Sequence, residues 1–445
     1  MIQLPEDFVK QMKILLGSEY TEFEASYSLP TPVSIRLNPL KYEADGEVIP
    51  WCESGRYLPE RPVFTLDPSF HAGAYYVQEA SSMLVGYVLS KVVDVSKPLT
   101  VLDLCAAPGG KTTHLASILH PDSVVVANEV IKGRVNILKE NIQKWGYPNV
   151  HVSNHDPKDF EALHDFFDVV LVDAPCSGEG LFRKDPAACN EWSSASITTC
   201  VFRQQRILAT TAELFKVDGI LIYSTCTFNH QENQDNALWL INNFQFEEIK
   251  LDFPSDWEII EKEHGYQCFP HKVRGEGFYL SVFRKKSGPV FTFKSFDFKS
   301  FKKLPFISLP EIKKWVKTPE QFCYFIKPNN DVIAILESQI DEAKILDKTL
   351  FTKGLGFEVG IIKGKDFIPS HGLALSTSLG TNTSIVELSK ENALRFLKRE
   401  HFELDAEKGW VLIQYKGLGL GWVKNLGSRF NNYLPNEWRI RMAIE

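Results

Sequence analysis

Two cysteines stand just beyond apolar runs, Cys176 in "DVVLVDAPCSGEG" and Cys226 in "GILIYSTCTF". Their flanks are small or polar: Ser177, Gly178 and Glu179 for the first, Ser224, Thr225 and Thr227 for the second. Buried packing is the ordinary use of a cysteine, and it is the plain alternative here. A reactive thiol instead needs partial exposure and surroundings that favour thiolate, which a strand end supplies better than a strand interior. If the two runs are adjacent strands, about 4.8 Å apart, both thiols face one substrate. The chemistry that uses such a pair is alkylation at C5 of a pyrimidine. That carbon is a poor nucleophile until a thiolate adds at C6, and a second acid/base group helps afterwards, when the C5 proton and the thiolate leave. Asn229 and Glu232, downstream of Cys226, have N-cap and capping-box spacing, which accounts for Glu232 structurally. A zinc deaminase also carries "PC", but needs P-C-x-x-C with H-x-E upstream; Glu179 occupies the last position and no H-x-E precedes it.

A second constellation is "DLCAAPGGKT", Asp103 to Thr112, a turn of small residues between a strand and a helix. Small side chains let the backbone approach a ligand, and amides at a helix start favour an anion. A triphosphate loop requires glycine where Cys105 stands, and the G-x-G-x-x-G of a dinucleotide site is absent. What remains is a nucleoside without pyrophosphate, such as S-adenosylmethionine. Glu129 ends the second strand, where an acid grips ribose hydroxyls in nucleotide-binding sheets, and Asp156 follows the third, where it can flank an adenine. Either acid alone reads as a surface or capping residue; their shared position at strand ends favours the ligand.

The elements that must position these residues alternate from about residue 98. "LTVLDLC", "SVVVANE", "NVHVSN", "FDVVLVDAP" and "GILIYSTC" read as buried strands. Between them lie the helices "KTTHLASILH", "KGRVNILKENIQKWG" with Val135, Leu138 and Ile142 on one face, and "TTCVFRQQRILATTAELF". "QENQDNALWLINN" is a further helix, followed by a late strand pair ending in "GFYLSVFRK". This is a doubly wound α/β sheet, whose ligands collect at the carboxyl ends of its strands. Four parts follow: an N-terminal α+β region over 1–97, the core over 98–285, a linker and intermediate α+β part over 286–370, and a β-rich part over 371–445. In the last, "ELSKENALRFLKREHF" and "GWVLIQYKGLGLGWVKNLG" read as a helix leading into a Gly-rich hairpin.

At 445 residues, 44% hydrophobic and 24% charged, the chain has the composition of a soluble multidomain protein. Its start has early acids and no signal-like apolar block, and no segment reaches the ~18 apolar residues of a membrane span, so a cytoplasmic location is expected. The eight cysteines are scattered, without C-x-x-C pairs or histidines at metal spacing, so neither a disulfide framework nor a metal site is expected. A net charge of -7 and a pI near 5.9 exclude nucleic-acid binding by overall field. Local patches must serve instead. One is "RKKSGPVFTFKSFDFKSFKK", residues 284–303; another is 416–441, with five basic residues against one acid and Trp422, Phe430, Tyr433 and Trp438 among them. Both mixtures suit phosphate contact with base stacking, and equally a solvated linker and an ordinary small β domain.

"LDLCAAPGGKT", "VDAPCSGEGLFRKDP" and "YSTCTFNHQEN", in that order, resemble the Sun/RsmF-type family of RNA 5-methylcytosine methyltransferases, over roughly residues 30–285. "GLGLGWVKNLGSRFNNYLPNEWR" resembles the PUA-like C-terminal domain of the RsmF branch, which modifies small-subunit ribosomal RNA. "SIRLNPLK" and "YYVQEASSM" are similar to the family's auxiliary region and the helix leading into its core. The resemblance implies a Rossmann-like S-adenosylmethionine-dependent core with an N-terminal α+β auxiliary region and a C-terminal PUA-like β-rich domain. It implies methylation of cytosine C5, with 16S rRNA or the small subunit as partner; a monomer is expected, since nothing in the sequence suggests an obligate partner chain. Cys226 would attack C6 and Cys176 assist product release. Cys105, Ala106, Ala107, Pro108, Gly109, Gly110, Lys111, Glu129, Asp156 and Asp173 would contact S-adenosylmethionine, Asp173 also lying near the cytosine. Arg134 would assist the cofactor and Lys184 the RNA, though both read equally as solvent-exposed charges. Two other readings stay open: a transfer RNA methyltransferase of the same chemistry, and an RNA-binding assembly factor with a vestigial fold, against which the intact acids and cysteines speak.

Overall fold

The computed structural model of the chain describes residues 2–286, 291, 293, 296–304, 309–351, 354–380 and 382–443. Residues 287–290, 292, 294 and 295 of the Lys/Phe segment lie outside the described residues.

The central sheet is built from short runs of Val, Leu and Ile buried on both faces, the pattern of strands covered by helices on each side. Its parallel strands are β1 (Thr100–Asp103), β2 (Val124–Asn128), β3 (Val150–Ser153), β4 (Phe167–Asp173) and β5 (Phe215–Thr225). The later strands β6 (Phe246–Glu248), β7 (Ile260–Glu261), β8 (Tyr266–Cys268) and β9 (Phe278–Lys285) complete it. The order is β7-β8-β9-β5-β4-β1-β2-β3, with β6 paired to β9. Strands β1 to β5 pair in parallel and β9 runs antiparallel to β5. Strands β4 and β5 are adjacent, the condition on which both thiols face one substrate, and Asp173 lies opposite Ser224 in their register.

Helix α1 (Gly110–Ile118) follows β1, α2 (Lys132–Trp145) follows β2, α3 (Ser194–Thr211) precedes β5 and α4 (Gln234–Asn243) follows it. Val135, Leu138 and Ile142 are the buried face of α2, as their spacing predicts. One sequence expectation fails here: α3 stops at Thr211, and Phe215 opens β5 instead of extending the helix. Beyond Thr211 the chain leaves the helix, and the Leu214 carbonyl accepts the amides of Phe166 and Phe167 at 3.0 and 2.9 Å, tying the segment to the start of β4.

Before the core, an antiparallel sheet runs Glu47–Ile49, Cys52–Leu58, Val33–Leu37, Tyr75–Val77. The two N-terminal helices Glu6–Leu16 and Tyr20–Ser26 bury Phe8 and Phe23 against Phe182, Phe228 and Phe269, and so roof the loops after β4 and β5. Arg36, fully buried, fastens this region to the core. Its guanidinium lies 4.4 Å from the Trp145 ring and donates to Gln78 Oε1 at 2.9 Å, Thr113 Oγ1 at 2.6 Å and the Gly110 carbonyl at 3.2 Å. Gly73 makes the fit close: at φ +72°, a Cβ there would sit 1.7 Å from the Lys144 carbonyl.

After the core, a five-stranded antiparallel sheet spans Lys302–Pro369, and a four-stranded mixed sheet, whose first pair of strands is parallel, spans Ser384–Asn432. The helix and hairpin expected there are Lys390–Lys398, Gly409–Tyr415 and Leu418–Asn425. This last sheet shares a hydrophobic cluster with the N-terminal one, Ile35 and Leu37 packing with Phe396, Val411 and Leu420. Among the described residues no helix is long and apolar enough to cross a membrane.

Candidate active site

The loops after β4 and β5 bring the two cysteines into contact. Cys176 Sγ and Cys226 Sγ are 3.1 Å apart, and the Cys226 amide donates to Cys176 Sγ at 3.3 Å. Both side chains are partly exposed. The hydrogen bond with Cys226, together with burial, pushes the Cys176 thiol well above its ordinary value, so Cys176 keeps its proton.

Two glutamates hold these loops. Glu179 is fully buried; its Oε2 accepts from the Thr227 hydroxyl at 2.6 Å and the amides of Phe228 and Asn229 at 2.8 and 3.0 Å. Its Oε1 accepts from Gln11, Trp192 and the Asn229 amide group at 3.0, 3.2 and 3.2 Å. Glu232, also fully buried, accepts from the Ser177 amide at 3.0 Å, Gln204 at 2.7 Å, Asn229 Nδ2 at 2.8 Å and the Ser177 hydroxyl. Burial raises its carboxyl above the ordinary range, with the bonds from Ser177 and Asn229 opposing. The capping box expected for Glu232 is therefore only half present. Asn229 Oδ1 does accept the Glu232 amide at 2.9 Å, but the Asn229 amide goes to Glu179, and the Glu232 carboxylate serves the other cysteine loop.

The loop after β1 lines a cleft of about 160 Å³ beside the cysteines, built from Asp103, Cys105, Ala106, Ala107, Pro108, Gly110, Lys111 and Asp173. Gly109, at φ +112°, makes the left-handed turn into α1 and faces Leu138 and Asn141 of α2 rather than the cleft. Lys111 Nζ pairs with Asp173 Oδ2 at 2.8 Å, and Ser224 Oγ donates to Asp173 Oδ1 at 2.8 Å. Burial works against the Lys111 ammonium, but Asp173 and, beyond it, Cys226 outweigh burial and raise its pKa. Burial pushes the Cys105 thiol up as well. Asp103 accepts from Thr112 Oγ1 at 2.6 Å on Oδ2, while its buried Oδ1 has no partner among the described residues. Burial, reinforced by Asp173, pushes this carboxyl up to about 7.

Glu129, Arg134 and Asp156 stand outside that lining. Glu129 is 3% exposed and accepts the Ile131 amide at 2.8 Å; Arg134 bridges it, at 3.1 Å, to the Ala107 carbonyl at 2.6 Å. The pair thus stiffens the cleft loop from α2. Asp156 caps the turn Pro157–Ala162 and pairs with Arg206 of α3 at 3.3 Å. Lys184 is exposed, whereas its neighbour Arg183 is buried against Glu276.

The N-terminal "YYVQEASSM" forms strand Tyr75–Val77 and a short turn before the helix Leu84–Val92, rather than helix throughout. Gln78 and Glu79, just past that strand, line the cleft, a contribution sequence reasoning missed. Glu79 accepts the amides of Ser81, Ser82 and Glu276 at 2.9, 2.8 and 2.8 Å, tying the cleft to the segment before β9.

Three family descriptions match in order along the chain. They are the N-terminal domain of 16S rRNA methyltransferase RsmF over residues 4–80, 16S rRNA methyltransferase RsmB/F over 91–284, and the methyltransferase RsmF PUA domain over 383–440. The ribosomal RNA small subunit methyltransferase F of Aeromonas salmonicida (strain A449) is 32% identical, covering 98% of this chain and 97% of that protein. The chain belongs to the RsmF family of 16S rRNA methyltransferases. The ribosomal RNA small subunit methyltransferase F of Aliivibrio fischeri (strain ATCC 700601 / ES114) is 31% identical over 98% of both chains. A methyltransferase homologue from Pyrococcus horikoshii superposes with a TM-score of 0.55 at 26% identity, over 64% of this chain and 96% of that one.

In this RsmF-family chain the aromatic residues of 416–441 are less free than their composition suggests. Trp422 is 1% exposed and donates to the Ser370 carbonyl at 2.8 Å, so it is core and not a stacking platform. Tyr433 packs on Trp410, and Trp438 stands edge-on to His371 with Lys144 over its ring. Phe430 packs on Phe402. Burial was hidden because hydrophobic and stacking aromatics have the same letters.

Proposed function

We propose that this protein transfers a methyl group from S-adenosylmethionine to C5 of a cytosine in small-subunit ribosomal RNA, with Cys226 as nucleophile, Cys176 assisting release and Asp173 beside the cytosine. The contact between two thiols, 3.1 Å apart at the ends of adjacent strands, carries the reading. The cleft suits the cofactor: the loop Ala106 to Gly110 offers backbone at close range, and the unpartnered Asp103 Oδ1 calls for a donor such as an ammonium group. When bound, S-adenosylmethionine supplies an electrophilic sulfonium methyl. Cys105, Ala106, Ala107, Pro108, Gly110, Lys111 and Asp173 would hold it, Glu129 and Asp156 would contact it from the ends of β2 and β3, and Arg134 would stiffen the loop that Gly109 turns.

Cys226 Sγ forms a bond to C6, and C5 thereby gains the electron density to attack. Lys111, fixed by Asp173, places a positive charge beside the attacking sulfur. After C5 has been methylated its proton passes to a water molecule acting as base, the C5–C6 double bond re-forms and the C6–S electron pair returns to Cys226. Cys176 holds a proton in contact with that departing sulfur, which is where a general acid speeds release. The pyrimidine edge is hidden in a duplex, so the target base is unpaired or flipped into the site.

The test is a pair of variants. Cys226→Ala should abolish methyl transfer to 16S rRNA while S-adenosylmethionine still binds, and Cys176→Ala should accumulate a covalent RNA adduct on denaturing gels. Substantial methylation by the first would remove Cys226 as nucleophile; normal turnover without adduct in the second would remove Cys176 from release.

A further inference from the structure

Glu179 and Glu232 form a crossed brace. Glu179 sits three residues after Cys176, yet it grips the chain just after Cys226, through the Thr227 hydroxyl and the Phe228 amide at 2.6 and 2.8 Å. Glu232 sits six residues after Cys226, yet it grips the residue just after Cys176, through the Ser177 amide at 3.0 Å and its hydroxyl. Asn229 touches both carboxylates, at 3.2 and 2.8 Å, and the Ser177 and Thr227 hydroxyls meet at 3.0 Å between them. Each loop is therefore anchored by an acid belonging to the other. Two full charges buried in an α/β core, at 0% exposure, are costly unless every oxygen is satisfied. Here donors surround both oxygens of each carboxylate.

We propose that Glu179 and Glu232 are positioning residues that set the separation of the Cys176 and Cys226 sulfurs, and through it the rate of the cysteine chemistry. The proposal rests on the reading of that chemistry given above, but the geometric half of it stands apart. Neither acid is bonded to Cys176 or Cys226 directly, so neither is a catalytic residue. Anchoring the two loops to each other, rather than each to the sheet, makes the sulfur-to-sulfur distance the quantity the network controls.

Replacement by glutamine is the sharp perturbation. The amide keeps the shape of the carboxylate but turns one acceptor into an NH2 group facing only donors, so the brace opens on one side. Phenylarsine oxide reads the result without any methyl transfer. It condenses with two thiols held near contact, forming two As–S bonds and releasing one water. Wild type should bind it tightly, and Cys176→Ala should not. Glu179→Gln and Glu232→Gln should each bind it at least about tenfold more weakly and lose on the order of 100-fold in kcat, with KM for S-adenosylmethionine within about twofold. Thr227→Val, which removes one bridging hydroxyl, should move both readouts in the same direction by less, and Thr227→Ser should restore them; this series serves if a glutamine variant does not fold. Folded variants with wild-type arsenical affinity overturn the proposal, as does weakened affinity with unchanged kcat. Arsenical affinities as expected in a protein that transfers no methyl to cytosine would sustain the brace and refute the cytosine reading instead.

Discussion

On the proposed reading, Asp103 should link S-adenosylmethionine binding to pH in a way that can be measured. The carboxyl is 1% exposed, bonded by one hydroxyl, and has one oxygen with no partner among the described residues. Raising it from 3.8 to about 7 corresponds to about 4 kcal/mol in favour of the protonated form. A group whose folded pKa lies above its unfolded value contributes stability in full below the unfolded pKa, and that contribution is lost as pH rises through the folded one. The protein without cofactor should therefore lose stability between about pH 4 and pH 7 through this residue. Asp103→Asn, whose amide oxygen still accepts from Thr112, carries no such loss and should be the more stable protein at pH 8, by up to about 4 kcal/mol.

Binding should run the other way. A donor from the cofactor that meets Asp103 Oδ1 prefers the ionised carboxylate, so affinity should rise about tenfold per pH unit below 7 and level off above it. Asp103→Asn should bind S-adenosylmethionine some 10- to 100-fold more weakly, the worth of a hydrogen bond to a charged group, and without pH dependence. Asp173→Asn removes a negative neighbour that helps raise Asp103, so the inflection should move to lower pH. Titration calorimetry from pH 5.5 to 8.5, with denaturant unfolding of the same proteins, decides the matter. A flat affinity profile in wild type, or an Asp103→Asn protein no more stable than wild type at pH 8, would refute the reasoning.

Two further outcomes concern the frame around the site. Arg183 pairs with Glu276 at 3.1 Å with both side chains 4% exposed, and donates to the Gly275 carbonyl at 2.6 Å. Arg183→Met leaves that carboxylate buried alone and should cost about 3–5 kcal/mol, read as a lower urea midpoint. His151 accepts the Gly356 amide on Nδ1 at 3.0 Å and so donates from Nε2 to Gln339 Oε1 at 3.1 Å; burial lowers it to about 4. Its contribution is present above pH 6.5 and is lost as pH falls toward 4, about 3 kcal/mol in all, so His151→Gln should show a shallower acid decline in stability than wild type.

The alternation of buried runs and amphipathic helices made β1 to β5 and their parallel sheet legible; the adjacency of β4 and β5, and with it the meeting of Cys176 and Cys226, was legible only through the likeness to methyltransferases, in whose usual sheet those two strands are neighbours. The brace was not legible, for a physical reason. The donors to Glu179 come from residues 11, 192 and 227–229, a convergence that no local window contains. Glu232 was misread because local spacing offered a sufficient explanation: Asn229 does cap its amide, and a capping box accounts for an acid at that place without further cause. A signal was nonetheless present. In "CSGEGLF" Glu179 lies between two glycines and just before an apolar pair, where it caps no helix longer than one turn and faces no helical neighbour. An acid with no local use in a loop that must be tightly packed is a conflict between levels, and such conflicts mark residues whose partners come from elsewhere in the fold. By the same argument the charge is there for a distant backbone, since only a carboxylate accepts donors at both of its oxygens.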